Sequence, residues 1–159
     1  MMHYLRPHEF TVGALDDCLS GSLLLPRTAS ESPFLIGTTA KGTAALCLGG
    51  QFRFVGFECE GNTAWSGIIV PEVQVEVDAA SSPELRGRGA SIGCARRQGD
   101  KLGILGRGAD DGRSLFIVLA NQLAKSGDEA ANFERWQVVL GAGMDRRVLF
   151  TVDVSAEDS

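Results

Sequence analysis

The chain is poor in the residues that do chemistry. Its two histidines, His3 and His8, are not at the i,i+4 spacing that puts two metal ligands on one helical face. Pro7 between them also opposes a helix, so both read as exposed and inert. Neither can serve as the base for Gly89-Ala90-Ser91-Ile92-Gly93, which has the G-x-S-x-G spacing of a nucleophile elbow, because that fold requires a histidine after the serine. The elbow also needs a strand before it and a helix after it. Here Glu84-Leu85-Arg86-Gly87-Arg88 is a poor strand and a hairpin pattern follows. With 20 glycines in the chain, the spacing is expected by chance.

Cysteine is scarce and scattered. Cys18, Cys47, Cys59 and Cys94 include no close pair, which excludes the usual zinc templates. The opening residues, Met1 to Pro7, lack the apolar core of a secretory leader. The four therefore read as reduced core fillers in a cytoplasmic protein. Long apolar runs are missing too: Leu115 to Ala120 is the longest, far short of a membrane span. No Phe, Tyr or Trp lies between residues 66 and 115. The basic part of the chain thus has no stacking platform for single-stranded nucleic acid, and the net charge of −5 points away from nucleic acid and acidic membranes.

What is present is a glycine-punctuated β pattern. Val73-Gln74-Val75-Glu76-Val77-Asp78 and Val148 to Val154 alternate with period two, the mark of half-buried strands. Phe34 to Gly37 and Thr43 to Leu48 flank a turn at Ala40-Lys41-Gly42. Gln51 to Cys59 reads as one strand with Phe52 and Phe54 on one face and a bulge at Val55-Gly56. Glu60 to Thr63 is a tight turn, and the chain returns through Trp65 to Ile68-Ile69-Val70. Pro71 marks an edge or a kink. Ala90 to Ala95 and Leu102 to Leu105 form a hairpin. Leu115 to Leu123 fits both helix and strand, and the β-branched pair Ile117-Val118 favours a strand. Lys125 to Asp128 is a break. Arg135 to Leu140 and Arg146 to Val154 close a last hairpin.

The N-terminal part is least strand-like. Residues 1–33 read as an arm, with Thr11 capping a short helix that puts Leu15, Cys18 and Leu19 on one face, and Ser20 to Pro33 as loop. Residues 155–159 are an acidic tail that frays. The sum is a single domain over residues 1–159 and a mainly β fold: an antiparallel sandwich or barrel of roughly eight to ten short strands, with one or two short helices added. Trp65 and Trp136 are expected as core anchors.

The charge is unevenly spread. Residues 85–113 carry net +4, against −6 before them and −3 after them. Arg86, Arg88, Arg96, Arg97, Arg107 and Arg113 are candidate anion ligands, since guanidinium forks and glycine amides bind phosphate and carboxylate. Asp110 and Asp111 are candidates for a base or a Mg²⁺ ligand, without the carboxylate spacing of a calcium loop. Cys94, beside Arg96 and Arg97, is the better placed reactive thiol, although a plain core role is the simpler expectation. The favoured function is a non-enzymatic binding or assembly role, with no cofactor and with a homodimer or another protein as partner, two-fold oligomers being the commonest. The alternatives are an enzyme acting on a phosphorylated or carboxylated small molecule through the arginine segment, and a structural subunit of a larger complex.

Overall fold

The structure is a computed structural model and describes residues 4–27, 32–58, 65–123 and 129–155. His3, Cys59, the turn after it, the break at Lys125 to Asp128 and the last four residues of the tail lie outside the described residues. Thirteen strands are described: β1 (Thr11–Ala14), β2 (Leu23–Pro26), β3 (Phe34–Thr39), β4 (Gly42–Cys47), β5 (Val55–Glu58), β6 (Ser66–Val70), β7 (Gln74–Val77), β8 (Ala95–Gln98), β9 (Lys101–Gly108), β10 (Ser114–Leu123), β11 (Ala131–Phe133), β12 (Arg135–Leu140) and β13 (Arg147–Asp153). The expected short helices are only single turns of 3-10 type, such as Pro83–Arg86. Among the described residues no helix is long and apolar enough to cross a membrane.

The architecture is a barrel rather than a sandwich. β3, β4, β5, β9 and β10 pair in that order and β10 returns to β3. Every junction is antiparallel except β5 with β9, which is parallel. Strand direction forces this. A closed ring with an odd number of strands cannot alternate throughout, so one neighbouring pair must run the same way. A parallel pair needs a long crossover, and β6, β7 and β8 are made within it.

Two flaps grow from the ring because its strands share their edges. β3 gives one edge to β4 and divides the other, with β2 opposite Phe34 and Leu35 and β10 opposite Thr38. β2 then carries β6, and β6 carries β1. β9 gives one edge to β10 and divides the other between β8 and β5, and β8 carries β11. A second sheet, β13-β12-β7, packs its inner face on the ring: Val75, Trp136, Val138 and Val152 join Leu46, Ile104 and Ile117 in one core. The Trp136 indole N–H donates to the Gly93 carbonyl at 2.8 Å and ties this sheet to the barrel.

A smaller core lies on the other side of β2, β3 and β4. It holds Leu15, Cys18, Leu24, Phe34, Ile36 and Cys47, with Phe57 and Trp65 packed against it. These three strands are therefore buried on both faces, which is why their sequences are continuous apolar runs rather than alternations.

Several expectations are corrected. Residues 11–26 supply two strands in place of a helix and loop, and Leu19 is 73% exposed. Phe52 and Phe54 do not share a strand face. Gly50–Phe52 is a 3-10 turn, Phe54 takes a left-handed φ of 64° and is buried, and Phe52 is 54% exposed. Of the two readings of Pro71 the kink applies to β6, which lies between β1 and β2: Pro71 sits in the turn from β6 to β7, and β7 is an edge of the second sheet. Residues 114–123 are strand, as the β-branched pair suggested. Trp136 is a core anchor, whereas Trp65 is half-buried in the smaller cluster.

Candidate functional site

The six arginines fall into two groups. Arg86 ends the 3-10 turn Pro83–Arg86, which packs on β11, and β11 pairs with β8, which bears Arg96 and Arg97. Arg107 and Arg113 sit at the far end of β9 and at the hairpin that follows. Arg96 lies opposite Gly103, four residues before Arg107 on β9, which is about 13 Å along a strand. No single clamp collects all six.

Two members of the first group, Arg88 and Arg96, are tied to neighbouring side chains. Arg88 Nη2 meets Glu134 Oε1 at 3.0 Å, and the Glu134 side chain is 3% exposed. Arg96 donates from Nε to Gln98 at 3.2 Å and from Nη1 to Asn132 Oδ1 at 3.4 Å. Asn132 Nδ2 donates to Glu84 Oε1 at 2.5 Å, and the Ser82 hydroxyl donates to the other Glu84 oxygen at 2.5 Å. Desolvation is the largest influence on Glu84 and pushes its pKa up, but the bonds from Ser82 and Asn132 outweigh it and the carboxyl is held below its usual value. Sequence reasoning missed Glu84, Asn132 and Glu134. A signal existed for two of them: counting back by twos from the buried Trp136 reaches Glu134 and Asn132, which are buried as well.

The other candidates are quickly placed. Cys94 is wholly buried, and burial pushes its thiol pKa up. Its neighbour is the Ser91 hydroxyl at 3.7 Å. The G-x-S-x-G segment is a loop before β8, not a strand-to-helix elbow. His8 is exposed. Asp110 and Asp111 are exposed on a hairpin turn, where Asp111 Oδ1 accepts the Arg113 N–H at 3.0 Å. Among the described residues no three His, Cys, Asp or Glu side chains converge as metal ligands would.

A concavity lies at the barrel seam. β10 pairs with β9 as far as Val118 opposite Gly103, leaves it, and meets it again at Leu123 opposite Lys101. Such a bulge bends the strand and re-aims side chains. Gln122 is sent to β7, where its amide accepts the Val75 N–H at 3.0 Å and donates to the Val73 carbonyl at 3.1 Å. On its other side β10 meets β3 at one position, Val118 opposite Thr38. The Val118 carbonyl accepts the hydroxyls of Ser20 at 3.1 Å and Thr38 at 3.5 Å, and Ser20 Oγ accepts the Ala120 N–H at 2.9 Å.

A groove of 680 Å³ runs along this seam. Phe116 and Val118, both half-buried, form its floor. Thr38, Thr39 and Ala40 form one rim, and Asp100 and Lys101 the other. Directly opposed residues in a sheet project to the same face, so Arg96, Gly103, Val118 and Thr38 form one row on the outside of the barrel. Gly103 leaves a gap in that row, and the Phe116 ring fills it: a Cβ on Gly103 would lie 2.6 Å from Phe116 Cε1. Lys101 and Asp100 are exposed and make no ion pair among the described residues.

The family model described as "Uncharacterised protein y4lG" matches residues 12–159, from the second residue of β1 onward. The chain belongs to the y4lG family. A curated relative, the y4lG protein of Sinorhizobium fredii (strain NBRC 101917 / NGR234), is 39% identical over 147 residues, covering 92% of this chain and 91% of its own length. The matched span includes the whole barrel, the second sheet and every residue of the groove. No solved structure matches the chain.

Proposed function

We propose that this y4lG-family protein is a non-enzymatic binding domain and that the groove over β10 is its binding site. The observation that carries this reading is the groove itself: two half-exposed apolar side chains between two polar rims, on the outside of a barrel whose interior is filled. An apolar concavity with a few convergent polar groups is the form that ligand sites usually take. The burial of Cys94, with Ser91 facing it, supports binding rather than covalent chemistry. The test is amide chemical-shift mapping with a panel of small aromatic and aliphatic fragments. Shifts are expected at Thr38, Phe116 and Val118, and they should vanish in Ala40→Trp, which fills the groove from an exposed rim position. Shifts that persist in Ala40→Trp, or that gather elsewhere, would sink the reading.

A second reading keeps the arginines, as ligands of a phosphorylated or carboxylated substrate. One observation favours it: Arg86, Arg107 and Arg113 are exposed and make no ion pair among the described residues. Titration with inorganic phosphate tests it by the same mapping, with shifts expected around Arg107 and Arg113.

A further inference from the structure

We propose that the groove over β10 selects a small monocarboxylate with an apolar body, its carboxylate on Lys101 and its body on Phe116 and Val118. This rests on the reading of the groove as the binding site. The floor asks for alkyl or aryl surface, because Phe116 and Val118 keep apolar area in water that only an apolar ligand would cover. The rim asks for negative charge. Lys101 lines the groove with its ammonium unpaired among the described residues, and an ammonium offers three donors and no acceptor.

Arg96 is a second cation in the same row, two strands from Val118 and beyond the groove's own lining. A guanidinium has five N–H donors; the bonds to Gln98 and Asn132 use two of them, one on Nε and one on Nη1. Its orientation is set from behind. Glu84 accepts from Asn132 Nδ2, so the amide must turn Oδ1 toward Arg96. Glu84 itself is engaged by Ser82 and Asn132 and does not compete for the ligand.

Asp100 decides the ligand's charge. It stands next to Lys101 on the same rim, and a like charge close by penalises each further negative charge on the ligand. A carboxylate brings one such charge, whereas a phosphate monoester brings nearly two at neutral pH. The adjacency of Asp100 to Lys101 in the chain therefore favours the monoanion.

The experiment is titration of the full chain, followed by amide shifts, with 3-phenylpropionate, its neutral amide, and phenyl phosphate. Both variants, Lys101→Gln and Asp100→Asn, change exposed side chains, and the folded spectrum checks each. The carboxylate is expected to bind in the groove at least about tenfold more tightly than the amide, the usual worth of a charge-assisted hydrogen bond. Lys101→Gln should erase that difference, and Asp100→Asn should strengthen phenyl phosphate. If the amide binds in the groove as well as the acid, or phenyl phosphate binds better than both, the charge selection is overturned while the groove stands. If none of the three perturbs Thr38, Phe116 or Val118, the groove reading falls with it.

Discussion

At Gln122 a side-chain amide stands in for a neighbouring strand. Its oxygen and nitrogen satisfy the Val75 N–H and the Val73 carbonyl on the edge of β7 that β12 does not use. Gln122→Leu keeps the volume and removes both partners. The Val75 N–H and the Val73 carbonyl would each lose this bond, and the expected loss is roughly 2–4 kcal/mol, read from urea unfolding. Cys94 gives a second prediction at this scale. A buried thiol with a raised pKa presents little thiolate, so alkylation at Cys94, followed by peptide mass mapping at pH 8, should be slow in the native protein and fast in denaturant. Fast native labelling would show that Cys94 is reached by solvent. The site was only partly legible at this scale. Arg96 stood out in the sequence as a cation, but its partners Asn132 and Glu84 are polar residues far from it in the chain. Lys101, Phe116 and Val118 share a face only because of the register of β9 with β10, which no local pattern encodes.

Among the elements, the strands that alternate between core and water were legible. β7, β12 and β13 are examples, since one face of each meets the main core. β2 was not, because Leu23-Leu24-Leu25 is buried on both faces and runs straight into Pro26 and a polar stretch. β1 and β11 are too short to show a period. Phe54 broke the reading of β5 by turning into a conformation that aromatic side chains rarely adopt. The seam between β3 and β10 depends on a residue with no side chain. A Cβ on Gly37 would press on Ile117 Cγ2 and lie 2.7 Å from the Val118 carbonyl oxygen. Gly37→Ala is therefore expected to destabilise by roughly 2–3 kcal/mol through overpacking, and to broaden the amide signals of Thr38 and Val118 first. β1 has its outer edge blunted at Ala14, whose N–H goes to Asp17 Oδ2 at 3.1 Å and whose carbonyl faces the Cys18 sulfur at 3.8 Å. Folding a turn back over an edge is one way to discourage strand pairing between copies.

For the whole molecule, ionisation ties stability to pH at both ends of the scale. Glu9 is held below its usual 4.5 first by the Arg6 N–H and then by Arg147, and Glu76 first by Arg146 and then by Gln137. Glu84 is lowered as well, its hydrogen bonds overcoming desolvation. Carboxyls with depressed folded values stabilise above the unfolded value and lose that contribution as pH falls through the folded one. Cys94 is raised above its usual 9.0, so its contribution is full below that value and is lost as pH rises through the folded one. The melting temperature should therefore be flat across neutral pH, falling below about pH 4 and again above about pH 9. Glu76→Gln should make the acid limb shallower. An acid limb unchanged by that substitution would remove Glu76 from the account.

The parallel junction between β5 and β9 also limits symmetry. Within the ring β3 pairs with β4 and β9 with β10 as successive antiparallel strands, and β5 is left over. A ring of five with one parallel junction therefore cannot be divided into whole hairpins, and no two-fold axis can relate one half of it to the other.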